Sequence, residues 1–147
     1  MSERQQSVFI SYSHSSEKER EWVRKLAKKL SDHKFSVWFD EWNLRAGDNL
    51  AQAIEKGLRN SGTFVTVLSR GSESRPNLLF ELGVAIGSGK LLIPIVSKDV
   101  DSSKLPFEIR SRRFLPMSSP DETARQLIEA IQQGSEESHS EMLAAVN

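Results

Sequence analysis

Cysteine is missing from all 147 residues. That excludes a disulfide framework and thiolate metal sites, and it suits a reducing compartment. Charge bias is missing too: 20 Lys and Arg face 20 Asp and Glu, a formal net charge of +0. A neutral chain has no global basic field of the kind that gathers nucleic acid, so no nucleic-acid partner is expected. Long apolar runs are also lacking. No stretch approaches the roughly 20 residues of a membrane span, and the opening "MSERQQSVFISYS" lacks the apolar segment of a signal peptide. The expectation is a soluble, cytoplasmic protein with no membrane partner. Familiar catalytic signatures are absent as well. Neither GxGxxG nor GxxxxGK[ST] occurs, nor a GxSxG elbow, and His14, His33 and His139 have no zinc-ligand spacing, so no metal site is expected.

What is present is a repeating rhythm of strand and helix. "SVFISYS" is β-branched and aromatic, and the following "HSSEKEREWVRKLAKKL" places Trp22, Leu26 and Leu30 at helical spacing beside Val23 and Ala27. "FSVWF" predicts a second strand, "DEWNLRAGD" a polar loop, and "NLAQAIEKGLRNS" a helix with Leu50, Ile54 and Leu58 on one face. "TFVTVLS" and "LLIPIV" predict the third and fourth strands, with "RPNLLFELGVAIGSG" as the helix between them. The region "SKDVDSSKLPFEIRSRRFLPMSS" reads as a loop, a poor helix and a short last strand around "RRFLP". "PDETARQLIEAIQQG" is a helix opened by proline and acids and closed by glycine. Strands this apolar on both faces belong inside a sheet covered on two sides. The expected fold is therefore α/β, a flavodoxin-like, doubly wound, five-stranded parallel sheet. Residues 1–6 are expected to be an N-terminal extension, 7–134 the single folded domain, and 135–147 a flexible tail.

In such a sheet ligands bind beyond the carboxyl ends of the strands, so the loops after the strands are the candidates. These loops offer hydroxyls, Arg45, Arg70, Arg75 and a large aromatic, Trp38 or Trp42. Arginines and helix N-termini suit phosphate while aromatics stack on bases, which fits a phosphorylated, base-bearing ligand. Glu81 lies in the first turns of the helix after the third strand. On a helical projection Leu78, Leu82, Ala85 and Ile86 form the core stripe and Glu81 falls at its margin, as a cleft residue does. An acid early in a helix is also favoured by the dipole alone. Phe80 and Val84 turn away from the stripe, one helical turn apart, and suggest a contact face. Trp22 reads as structural; Trp38, alternating with Val37 and Phe39, reads as core or as a ligand-stacking ring. The basic run "SRRF" downstream of Arg110 reads as a solvated edge.

Three ordered segments carry a resemblance. "VFISYSHSSEKE", "FSVWFDEWNLRAGDNLAQAIEKGLRNSGTFVTVLS" and "RPNLLFELGVAIGSGKLLIPIV" resemble, in order and interval, the Toll/interleukin-1 receptor (TIR) domains, bacterial members above all. The resemblance runs from about Ser7 to Gly134. Some TIR domains cleave the nicotinamide–ribose bond of NAD+, and the resemblance gives Glu81 the position of their essential glutamate. It places Tyr12 and Trp38 near the nicotinamide end of the pocket, with Ser13 and His14 on the first loop. Asn77 stands where enzymatic relatives often carry tryptophan, in the "PNxxxELG" form of many bacterial members. The loop holding Asp40, Leu44, Gly47 and Asp48 is implied to dock on a neighbouring TIR domain or to cover the pocket. The resemblance thus implies NAD+ as substrate, no cofactor, and activity through self-association or contact with other TIR domains, in immune or antiphage defence signalling. The product, ADP-ribose or a cyclic ADP-ribose, stays open. Two further readings remain: a non-catalytic TIR interaction adaptor, and an N-glycosidic enzyme like the nucleoside deoxyribosyltransferases, which share an "ELGxA" glutamate but not "FISYSHS" or "WFDEWNLRAG".

Overall fold

A computed structural model describes residues 6–13, 16–70, 89–105 and 107–146, with backbone alone at 50, 51, 108 and 135–146. In chain order the elements are β1 (Ser7–Tyr12), α1 (Glu17–Asp32), β2 (Ser36–Trp38), α2 (Asp40–Asn43), α3 (Leu50–Asn60), β3 (Thr63–Leu68) and β4 (Leu91–Val96). A 3-10 turn (Ser102–Lys104), α4 (Phe107–Arg110), β5 (Leu115–Pro116) and α5 (Pro120–Val146) complete them. The expected helix from Arg75 onward lies outside the described residues.

All five strands run parallel in the order β2-β1-β3-β4-β5. The alternation of side chains along each strand divides them between two cores. Val8, Ile10 and Tyr12 of β1 join Val65 and Val67 of β3 under α1 and α5, where Val23, Leu26, Leu30, Leu127 and Ile131 close the layer. Phe9, Phe64 and Leu68 point the other way and pack with Leu58 of α3, Leu105 and Ile109. The doubly wound sheet expected from the sequence is the one observed. Pro94 sits within β4, yet β5 pairs only with Ile95 and Val96, so at Pro94 the strand has its sheet neighbour on the β3 side alone.

Two local expectations are corrected. The segment after β2 does not begin as a loop: Asp40–Asn43 forms one helical turn, α2, because Asn43 Oδ1 accepts the Phe39 N–H at 3.1 Å and Asp40 Oδ1 accepts the Glu41 N–H at 2.9 Å. Gly134 does not end the last helix. α5 continues to Val146, and the glycine instead permits close approach, since a Cβ there would stand 2.8 Å from Leu91 Cδ2.

Gly57 on α3 has a similar role. A Cβ at this position would meet three atoms of the Trp38 indole at 2.8 to 2.9 Å, while the other face of the indole stacks on Phe9 at 4.5 Å. Glycine to alanine in a helix interior ordinarily stabilises by up to about 1 kcal/mol. Here the wedged ring reverses the sign. Gly57→Ala is expected to destabilise by about 1 to 3 kcal/mol in denaturant titration and to shift tryptophan emission. A gain in stability would show that the ring yields freely.

Candidate functional site

In the strand order β2-β1-β3-β4-β5 the direction of winding reverses between β1 and β3. At such a switch point the loops leaving the two strands diverge and open a crevice. Here the diverging loops begin at Ser13 and Ser69. They are joined by a carboxylate that sequence reasoning missed, Glu19 of α1, which is only 4% exposed. Its Oε1 accepts the Ser13 N–H at 3.1 Å, Ser13 Oγ lies 2.8 and 3.0 Å from its two oxygens, and Ser69 Oγ donates to Oε2. The two hydroxyls are 3.3 Å apart. One signal was present in the sequence: Ser16-x-x-Glu19 is a capping-box pattern. Ser16 caps α1 as that pattern requires, accepting the Glu19 N–H at 3.1 Å. The Glu19 side chain then reaches past the cap to the loops.

Beside this cluster lies an open cleft of about 750 Å³ on the carboxyl edge of the sheet, lined by Glu19, Trp22, Ser69, Arg70, Ser97 and Ser118 among others. Trp22, expected to be structural, packs against the core and donates from Nε1 to Ser118 O at 2.8 Å, fixing the loop after β5. A second cleft, of about 520 Å³, lies along the β2 edge between Trp38, Gln52, Lys56 and Asn60.

Tyr12 and Trp38 were expected in one pocket, and the sheet separates them. Trp38 pairs in register with Phe9, and Tyr12 is an odd number of residues beyond Phe9, so the two side chains fall on opposite faces. Tyr12 is buried and donates to Asp40 Oδ1 at 2.8 Å, tying the end of β1 to α2. Arg24 of α1 secures the same turn through a bidentate pair with Glu41, at 2.5 and 2.9 Å. Asp40 is thus held toward β1, whereas Gly47 and Asp48 are exposed and Leu44 is half-buried. Gly47, at φ +92°, forms the turn closed by Asp48 N–H to Arg45 O at 3.0 Å. His14, Asn77, Phe80, Glu81 and Val84 lie outside the described residues, so of the expected site residues the structure locates Tyr12, Ser13, Trp38, Asp40, Leu44, Gly47 and Asp48. Among the described residues no His, Asp or Glu cluster is arranged to hold a metal ion, and no helix is long and apolar enough to cross a membrane.

A parallel sheet in this order, with its crevice at the switch point, is the architecture the sequence segments implied. The TIR domain family matches residues 8–131, and the chain belongs to that family. Over 104 residues it is 35% identical to the 2' cyclic ADP-D-ribose synthase AbTIR of Acinetobacter baumannii, covering 68% of this chain and 38% of that protein. Over 63 residues it is 44% identical to the NAD(+) hydrolase TcpA of a Theionarchaea archaeon, covering 43% of this chain and 18% of that one. The chain therefore spans well under half the length of these relatives. Among solved structures, the TIR domain of the Toll-related receptor TRR-2 from Hydra magnipapillata superposes with a TM-score of 0.65 at 22% identity, over 85% of this chain and 97% of its own, a likeness of fold.

Burial, the hydrogen bond to Asp40 and the negative charge of that carboxylate push the Tyr12 phenol well above its ordinary pKa of 10.0. A group held protonated in the fold contributes stability that is complete below the unfolded pKa and is lost as pH rises toward the folded one. Stability is therefore expected to fall above about pH 10 more steeply in the native chain than in Tyr12→Phe, as measured by urea titrations between pH 8 and 11. Parallel curves would show that Tyr12 ionises as readily in the fold as in the open chain.

Proposed function

We propose that this TIR domain cleaves NAD+ at the bond between nicotinamide and ribose, with Glu81 as the essential residue. The observation that supports the reading most is the 35% identity to a 2' cyclic ADP-D-ribose synthase across two thirds of the chain, joined by the match to an NAD(+) hydrolase. In the reaction the bond from ribose C1′ to the pyridinium nitrogen breaks and its electron pair goes to nicotinamide, which leaves as a neutral base. C1′ acquires oxocarbenium character. A fixed carboxylate close to it stabilises the developing positive charge, and no acid is needed to protonate the leaving group. Water then adds to C1′ and releases a proton, giving ADP-ribose. If a nucleophile of the same molecule adds in place of water, the product is a cyclic ADP-ribose.

Recognition of the substrate is assigned to the carboxyl-edge loops. Arg70 is exposed at the mouth of the crevice and suits the pyrophosphate, while Ser13, His14 and Asn77 are assigned to the substrate as hydrogen-bonding groups. Tyr12, expected at the substrate, is buried and acts on the site only by tying the end of β1 to α2 through Asp40. Trp38, on the far face, is assigned to the β2-edge cleft, where it can take part in substrate binding only from that side. The turn carrying Asp40, Leu44, Gly47 and Asp48 fits a contact with a second TIR domain, and Phe80 with Val84 a second contact face. The proposal extends to activity through self-association, in the cytoplasm and in defence signalling.

Purified protein is expected to release nicotinamide at a rate that rises faster than linearly with protein concentration, with products resolved by chromatography. Glu81→Ala is expected to lower that rate by about 100-fold or more without loss of folding. A folded native chain that self-associates yet releases no nicotinamide at any concentration would make it an interaction adaptor instead.

A further inference from the structure

Glu19 is the one charged side chain in the buried class among the described residues. Removing a carboxylate from water is costly unless hydrogen bonds replace the hydration, so its partners indicate what it is there to hold. The start of α1 is already capped by Ser16, which takes the Glu19 N–H. The carboxylate serves something else. It accepts from the backbone and hydroxyl of Ser13, at the end of β1, and from the hydroxyl of Ser69, at the end of β3. These two positions are 56 residues apart in sequence and meet only at the switch point. Ser13 directly precedes His14. Ser69 opens the segment that carries Asn77 and, twelve residues on, Glu81.

We infer that Glu19 is a positioning residue for the active site: its carboxylate clamps the β1 and β3 loops at a fixed separation, so that substrate meets a crevice already set. This rests on the NAD+-cleavage reading above. With the clamp broken the loops must be ordered at the expense of substrate binding, and apparent affinity falls. Glu19→Gln keeps the size of the side chain but removes the charge and one acceptor. Its KM for NAD+ is expected to rise on the order of tenfold, with Ser69→Ala, which frees only one loop, raising it less. A purely structural role would lower the fraction of active protein and leave KM unchanged.

Hydrogen exchange supplies a readout independent of turnover. The Arg70 amide is expected to exchange faster in both variants and the Ser13 amide, which Glu19 holds directly, in Glu19→Gln, with Leu26 and Leu30 inside α1 unaffected. Exchange at native rates in a folded variant would overturn the clamp, and faster exchange with native KM would overturn its role in positioning substrate. Should Glu19→Gln not fold, Ser69→Ala decides both points. If the native chain itself turns over no NAD+, the NAD+-cleavage reading fails and the positioning role falls with it, while exchange still decides whether the clamp exists.

Discussion

Each strand of a parallel sheet covered on both faces must satisfy two cores at once, and in this chain that constraint sets nearly everything else. Val8, Ile10 and Tyr12 answer to α1 and α5 while Phe9 answers to α3. A one-residue slip of β1 would send Phe9 to the side of Val8, Ile10 and Tyr12 and those three to the side of Phe9. The same alternation decides what is available for chemistry. Side chains within the strands are committed to packing, so reactive groups are left to the carboxyl-terminal loops and to the first turns of the helices that follow.

At the switch point this division leaves a crevice. β1 and β3 are neighbours, but their continuations depart in different directions, leaving polar loop ends that no further strand pairing can satisfy. Glu19 satisfies them in part, and Asp40 does the same for the hydroxyl of Tyr12. Both carboxylates come from the first turn of a helix, which is where the dipole favours negative charge. Ion pairing then joins α1 to α2 through Arg24 and Glu41, so the crevice edge is tied to the turn expected to meet a neighbouring domain. A contact made at that turn has a short physical route to the loops, through Asp40 to Tyr12 and through Arg24 to α1.

The layout of the sheet was legible because it depends on periodicity, and β1, α1, β2, α3, β3 and β4 all fall where the apolar patterns put them. Family membership was legible from three segments in the right order, and the match over residues 8–131 agrees with it. Less legible was anything that depends on which face a side chain takes. Tyr12 and Trp38 look like companions in sequence, and only the strand register, Phe9 against Trp38, shows them back to back. Gly134 looked like a stop because glycine commonly is one, whereas here it makes room for Leu91. Glu19 was hidden inside a charged helix, among Glu17, Lys18 and Glu21, where nothing in the pattern separates a buried acid from solvated ones except the serine three residues earlier.

We propose that substrate binds where the β1 and β3 loops diverge. Isotopically labelled Glu81→Ala protein, expected to bind substrate while turning it over far more slowly, is titrated with NAD+ and its amide shifts are mapped. The largest changes are expected at Ser13, Ser69, Arg70 and Ser97 on the carboxyl edge. Changes centred instead on Trp38, Gln52 and Gly57 would place the substrate in the β2-edge cleft and contradict the proposal.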